Sequence, residues 1–140
     1  MQRLLEFIQH HPFLNGLALL VLAALAVDEA LRRLRKFREI GPAESVLLIN
    51  KGAAVLDLRT QAEFKSGHII NARNIPMAEL DGRAAELDKF REQALVLACK
   101  SGAEAAAAAA RLAKQGFRQL FVLKGGIAAW KQDQFPLERG

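Results

Sequence analysis

The sequence predicts an α/β fold: an open parallel sheet flanked by helices, preceded by one N-terminal transmembrane helix. Three observations lead there. Short apolar runs alternate with helical patterns from residue 40 to residue 137. Two of those runs, residues 53–58 (AAVLDL) and 94–98 (ALVLA), are almost continuously apolar, as strands buried on both faces are. A separate apolar block near the N-terminus has a different composition from everything that follows it.

That block comes first in the chain. Residues 7–27 contain no Lys, Arg, Asp or Glu, and residues 13–27 read FLNGLALLVLAALAV. About 20 apolar residues span a bilayer core, and Leu and Ala favour the helix that satisfies its own backbone there. A cleaved signal peptide needs a positive leading region, yet the first ten residues hold Arg3 against Glu6. An amphipathic soluble helix needs a recurrent polar position, and residues 17–27 have none. The block therefore reads as an uncleaved single-span anchor, residues 1–29.

Charge supplies an orientation. Arg32, Arg33, Arg35, Lys36 and Arg38 follow the block, and they account for the net +5: the remaining 15 basic residues match 15 acidic ones. A basic cluster beside an apolar span marks the cytoplasmic side, with anionic lipid nearby, and not a base-reading surface. The expectation is a single-pass protein of a bacterial-type inner membrane, N-terminus out, C-terminal domain cytoplasmic, with no nucleic-acid partner. Residues 30–39 read as a charged helical linker and residues 40–140 as the domain. About 100 residues suffice for a core.

Within the domain, Gly41-Pro42 opens a helix to about Asn50. Residues 53–58 form a strand. Thr60 caps a short helix with Glu63 three residues on, a capping box, and Gly67 reads as the C′ residue that ends it. Residues 68–75 read as extended and 77–91 as a polar helix. The strand 94–98 ends on Cys99. Residues 104–115 form a helix whose six alanines (105–110) permit close approach to a sheet, 117–123 a strand, and 127–132 a last helix after Gly125-Gly126.

One cysteine allows no internal disulfide, and His10, His11 and His68 make no metal spacing with it; no metal or other cofactor is expected. The chemistry concentrates in Cys99-Lys100-Ser101-Gly102-Ala103-Glu104, a loop joining a strand's carboxyl end to a helix start. Ligands of open α/β sheets bind there. Successive inward N–H groups and the helix dipole stabilise an anion in such a cradle, and Lys100 adds a formal charge. Gly102 permits a tight loop. A buried, inert cysteine is the alternative for Cys99 taken alone; the strand, the Gly-containing loop and the helix around it favour a reactive thiolate.

These segments resemble a rhodanese-homology domain, the single-domain sulfurtransferase family, over about residues 40–137. The strand Val55-Leu56-Asp57-Leu58-Arg59, then Glu63-Phe64, Gly67-His68-Ile69 and Ala72-Arg73-Asn74-Ile75-Pro76, is similar to the family's first signature. The Cys-x-x-Gly loop is similar to its active-site loop, and Gly125-Gly126-Ile127-Ala128-Ala129-Trp130 to its C-terminal signature. The resemblance implies that Cys99 accepts sulfane sulfur from a small sulfur-containing anion such as thiosulfate, or from a persulfide donor. It then passes the sulfur to a thiol or protein acceptor, with residues 100–104 binding the substrate. A six-residue loop fits the sulfurtransferases, and the phosphatases of this fold use a longer one. Family loops commonly end in Arg where this chain has Glu104, which implies weak use of thiosulfate. Asp57, Arg59, His68 and Trp130 are expected to be structural. The competing expectation is a non-catalytic rhodanese-homology module that docks a membrane protein partner.

Overall fold

The computed structural model describes residues 1–34 and 37–140, which divide into two compact units, one on each side of residues 35–36. Of the basic cluster, Arg35 and Lys36 lie outside the described residues.

The N-terminal unit is two helices, α1 (Gln2–His10) and α2 (Pro12–Leu34). Pro12 explains the break between them. Its ring crowds the preceding residue out of the helical region, and His11 sits at φ −131°, ψ 63°. The stretch Pro12–Leu31 of α2 is long and apolar enough to cross a membrane, and none of it is buried.

The second unit is a five-stranded, wholly parallel sheet in the order β1-β5-β4-β2-β3. Its strands are β1 (Phe37–Ile40), β2 (Ala54–Asp57), β3 (Arg73–Asn74), β4 (Leu95–Ala98) and β5 (Leu120–Leu123). The helices are α3 (Pro42–Asn50), α4 (Gln61–Ser66), the single turn α5 (Leu80–Arg83), α6 (Ala103–Lys114) and α7 (Gly126–Gln132). The expected α/β architecture with a parallel sheet flanked by helices is present.

Period-two alternation decides which side chains meet which layer. On β4, Leu95 and Leu97 join one core with Leu56, Leu112 and Val122, whereas Val96 and Ala98 join the other with Val55, Leu123, Ile127 and Trp130. Cys99 continues the first series and so faces the side covered by α6. There Ala105, Ala108, Ala109 and Leu112 are fully buried. Their i, i+3, i+4, i+7 spacing forms one helix face, and the small side chains bring α6 down onto the strand ends, as the alanine run predicts.

Three local expectations are corrected. Residues 37–39, expected in the linker, belong to edge strand β1: Phe37 packs against the core, Ile40 is buried, and Arg38 reaches Glu44 at 3.4 Å. The strand was hidden because its two central residues, Arg38 and Glu39, are charged and exposed, as edge strands allow. Gly67 ends α4 as expected, in an extended conformation (φ 161°). Between residues 77 and 90 the chain is mostly 3₁₀, with α5 its one α-helical turn. Of residues 68–75, only Arg73–Asn74 is ladder-paired, while His68 bridges Glu138 near the C-terminus.

Candidate active site

β4 is the central strand, with β2 on one flank and β5 on the other, so its carboxyl end opens at the middle of the sheet edge. Cys99 follows it directly and is 1% exposed. The backbone N–H of Gly102 donates to its Sγ at 2.9 Å, and that of Ala105 at 3.4 Å. Ala105 lies in the first turn of α6, where backbone N–H groups have no partner within the helix. The sulfur occupies the place of that partner, and the arrangement stabilises negative charge on it. Gly102, at φ +106°, turns the chain that follows it into α6 while its own N–H points to the sulfur three residues earlier.

The loop is held from below by α7. Ile127 N–H donates to Cys99 O at 2.8 Å and Ala128 N–H to Lys100 O at 3.3 Å. Unpartnered donors of one helix start thus meet the loop's carbonyls. With its carbonyls turned down to α7, the loop leaves N–H groups free to point at the sulfur. Gly126 lies at the contact, at φ +61°, and a Cβ there would fall 2.3 Å from Cys99 O.

A cleft of about 490 Å³ opens over the sulfur. Cys99, Lys100, Ser101, Ala103 and Glu104 line it, and Gly102 contributes its N–H from the loop. The six sequence-nominated residues are therefore brought together. The opposite wall was not anticipated: Leu58, Arg59 and Thr60 follow the end of β2, Glu63 stands on α4, and Pro76, Met77 and Ala78 come from the segment after β3. The rule placing ligands at carboxyl ends of strands could have found the first group, since Leu58 N–H bonds Ala98 O and sets the end of β2 beside Cys99.

That wall is braced from behind. The Arg59 guanidinium donates twice to Asp57, with its Nη2 at 2.8 Å from Oδ2, and also to Gly67 O at 2.6 Å. Asn74 bonds both Asp57 O and Arg59 O. Thr60 Oγ1 caps α4 by accepting from Glu63 N–H at 3.3 Å, and its hydroxyl donates to the Glu63 carboxylate. His68 lies outside the cleft lining. Its ring stacks on Phe64 at 3.8 Å, Nδ1 is 2.8 Å from Phe64 O, and Nε2 is 3.7 Å from Glu138. Trp130 packs in the core and donates to Pro136 O. Each of these side chains is held by contacts within the domain.

Charge around the cleft is mixed. Lys100 stands in the loop, but Glu104 opens α6 and Glu63 faces it from α4. The cation on the far wall, Arg59, is paired with Asp57.

Comparison with known proteins agrees with this geometry. A model of the rhodanese-like domain matches residues 42–133. The uncharacterized protein YibN of Escherichia coli K12 is 34% identical over 142 residues, covering 100% of this chain and 99% of its own. The thiosulfate sulfurtransferase GlpE of Pseudomonas fluorescens is 33% identical over 105 residues, covering 74% of this chain and 92% of its own. Among solved structures, a rhodanese-related protein from Thermoplasma volcanium is 33% identical with a TM-score of 0.66, over 72% of this chain and 97% of that one.

Proposed function

Because the chain belongs to the rhodanese-like domain family and has sulfurtransferase homologues, we propose that it is a membrane-anchored sulfurtransferase carrying sulfane sulfur on Cys99. The observation that carries this reading is the pair of backbone N–H groups aimed at a cysteine sulfur on the floor of an open cleft. The Cys99 thiolate attacks the donor's sulfane sulfur. A new S–S bond forms to Sγ while the donor's own bond to that sulfur breaks, releasing a thiol from a persulfide or sulfite from thiosulfate. An acceptor nucleophile then takes the outer sulfur, and Cys99 leaves as the thiolate again. The transfer needs no net oxidant. The same N–H groups stabilise the anion at both ends of the cycle.

The favoured donor is a persulfide, small or protein-borne, and the acceptor a thiol or a protein. Glu104 and Glu63 oppose entry of the thiosulfate dianion and offset Lys100. The apolar stretch of α2 is the anchor, and the basic residues that follow that stretch keep the domain on the cytoplasmic side of an inner membrane.

Mass spectrometry of the full chain after treatment with a persulfide donor tests the assignment. A gain of one sulfur on the wild type, absent from Cys99→Ser, is the expected result; no gain with any donor would overturn it and leave a docking module. Steady-state kinetics on Glu104→Arg test the donor: kcat/KM for thiosulfate should rise, and unchanged thiosulfate kinetics would refute the electrostatic argument.

A further inference from the structure

Helix α1 has no use in the sulfur chemistry, yet its pattern is sharply ordered. At about 100° per residue, Leu4, Leu5, Phe7 and Ile8 fall within one arc of about 160°, and Gln2, Arg3, Glu6, Gln9 and His10 fill the complementary one. All four apolar side chains are exposed, from 49% at Ile8 to 66% at Leu4. A nine-residue helix is too short to persist in water on its own propensity, so the apolar face needs a covering.

What covers it follows from continuity with α2. One residue, His11, separates α1 from the membrane-competent stretch that begins at Pro12. The turn is fixed by contacts of its own. The Asn15 side-chain amide donates to Ile8 O, Asn15 N–H donates to His11 O, and the Phe7 and His11 rings meet at 4.8 Å. Asn15 thereby satisfies both its own polar group and a carbonyl at the end of α1, where the chain enters the span. An amphipathic helix held there lies at the depth of the headgroup–acyl boundary. Its apolar side faces the chains and its polar side, with Arg3, faces headgroups and water.

We infer that α1 is an interfacial helix, seated with Leu4, Leu5, Phe7 and Ile8 in the lipid leaflet at the N-terminal end of α2. The inference rests on the anchor reading of α2, and the test distinguishes failure of that reading from failure of the inference alone.

The test uses the full chain reconstituted into phosphatidylcholine–phosphatidylglycerol vesicles. Flotation after alkaline carbonate first reports on α2: a chain that does not float overturns the anchor and α1's seat together. With the floating chain, an environment-sensitive NBD label is placed by Leu5→Cys or, on the opposite face, Glu6→Cys, each in a Cys99→Ser background. The Leu5 label should be blue-shifted, quenched more by 5-doxyl than by 12-doxyl lipid, and protected from aqueous iodide. The Glu6 label should show the reverse, with iodide quenching it. Iodide quenching of both labels equally would overturn the inference with the anchor intact. So would deeper quenching by 12-doxyl lipid, which would make α1 part of the span. A Leu5 label protected from iodide and from both lipids would also overturn it, by placing α1 against protein.

Discussion

Gly126→Ala should unseat the Cys99 loop, and the size of the effect can be worked from the contact. An added Cβ would fall 2.3 Å from Cys99 O and 2.6 Å from both the carbonyl carbon and oxygen of Lys100. All three are backbone atoms, which cannot rotate away, and the closest contact is roughly 1 Å short of van der Waals distance. Alanine at φ +61° adds about 1–2 kcal/mol of backbone strain. Relief by separating α7 from the loop would sacrifice the bonds from Ile127 N–H and Ala128 N–H, about 0.5–1.5 kcal/mol each. The sum is about 2–5 kcal/mol, enough to lower the melting temperature of the detergent-solubilised chain by about 10 °C or more. A shift of about 1 Å at the loop should also slow sulfur loading of Cys99 by about a hundredfold. Gly102→Ala is the control. Its φ is +106°, but a Cβ would meet Gly125 N at 3.5 Å and Leu123 O at 3.6 Å, ordinary contacts, so strain alone remains and the melting shift should be smaller. Wild-type melting and loading by Gly126→Ala, or a larger loss in Gly102→Ala, would refute the argument.

Arg59→Ala leaves the Asp57 carboxylate, 1% exposed, without its cation and Gly67 O without its donor; chemical denaturation should show a loss of about 3–5 kcal/mol. A loss below about 1 kcal/mol, the value typical of exposed pairs, would contradict the buried bracing of the cleft wall. At the surface, a hydrogen bond from Arg83 holds the Glu86 carboxyl below the usual carboxylate range, assisted by the charges of Arg83 and Arg73. The stability this pair confers is present above the unfolded carboxylate's range and is lost as pH falls through the lowered folded value. Thermal melts across acid pH should therefore show Glu86→Gln converging on the wild type at the acid end, and a gap that widens on acidification would reverse the sign.

What the sequence discloses depends on whether a feature is local. The strand 94–98, the cysteine at its end, the Thr60 cap and the alanine face of α6 are written within a few residues each, and the structure has them where the pattern puts them. The features that were missed require two distant segments to be read together. Strand β1 looks like a charged linker until Phe37 and Ile40 are set beside Leu120 and Leu123 on β5. Gly67 ends α4 as its pattern predicts, but the bond its carbonyl accepts from Arg59 is not written in that pattern. The far wall of the cleft is spread over β2, α4 and the segment after β3, and none of its residues announces chemistry. The case of Gly126 shows why composition alone cannot recover such sites. A Gly-Gly pair reads as a turn, and it is one, with both residues at positive φ. Its second glycine is also the point at which α7 meets the Cys99 loop, 27 residues away in the chain. The absence of a side chain there is set by the carbonyls of Cys99 and Lys100, and those carbonyls point to α7 because the loop's N–H groups point to the sulfur. The orientation that creates the anion cradle therefore fixes the residue beneath it. In this fold a glycine requirement at 126 and the pair of N–H groups aimed at the Cys99 sulfur are two consequences of one loop conformation.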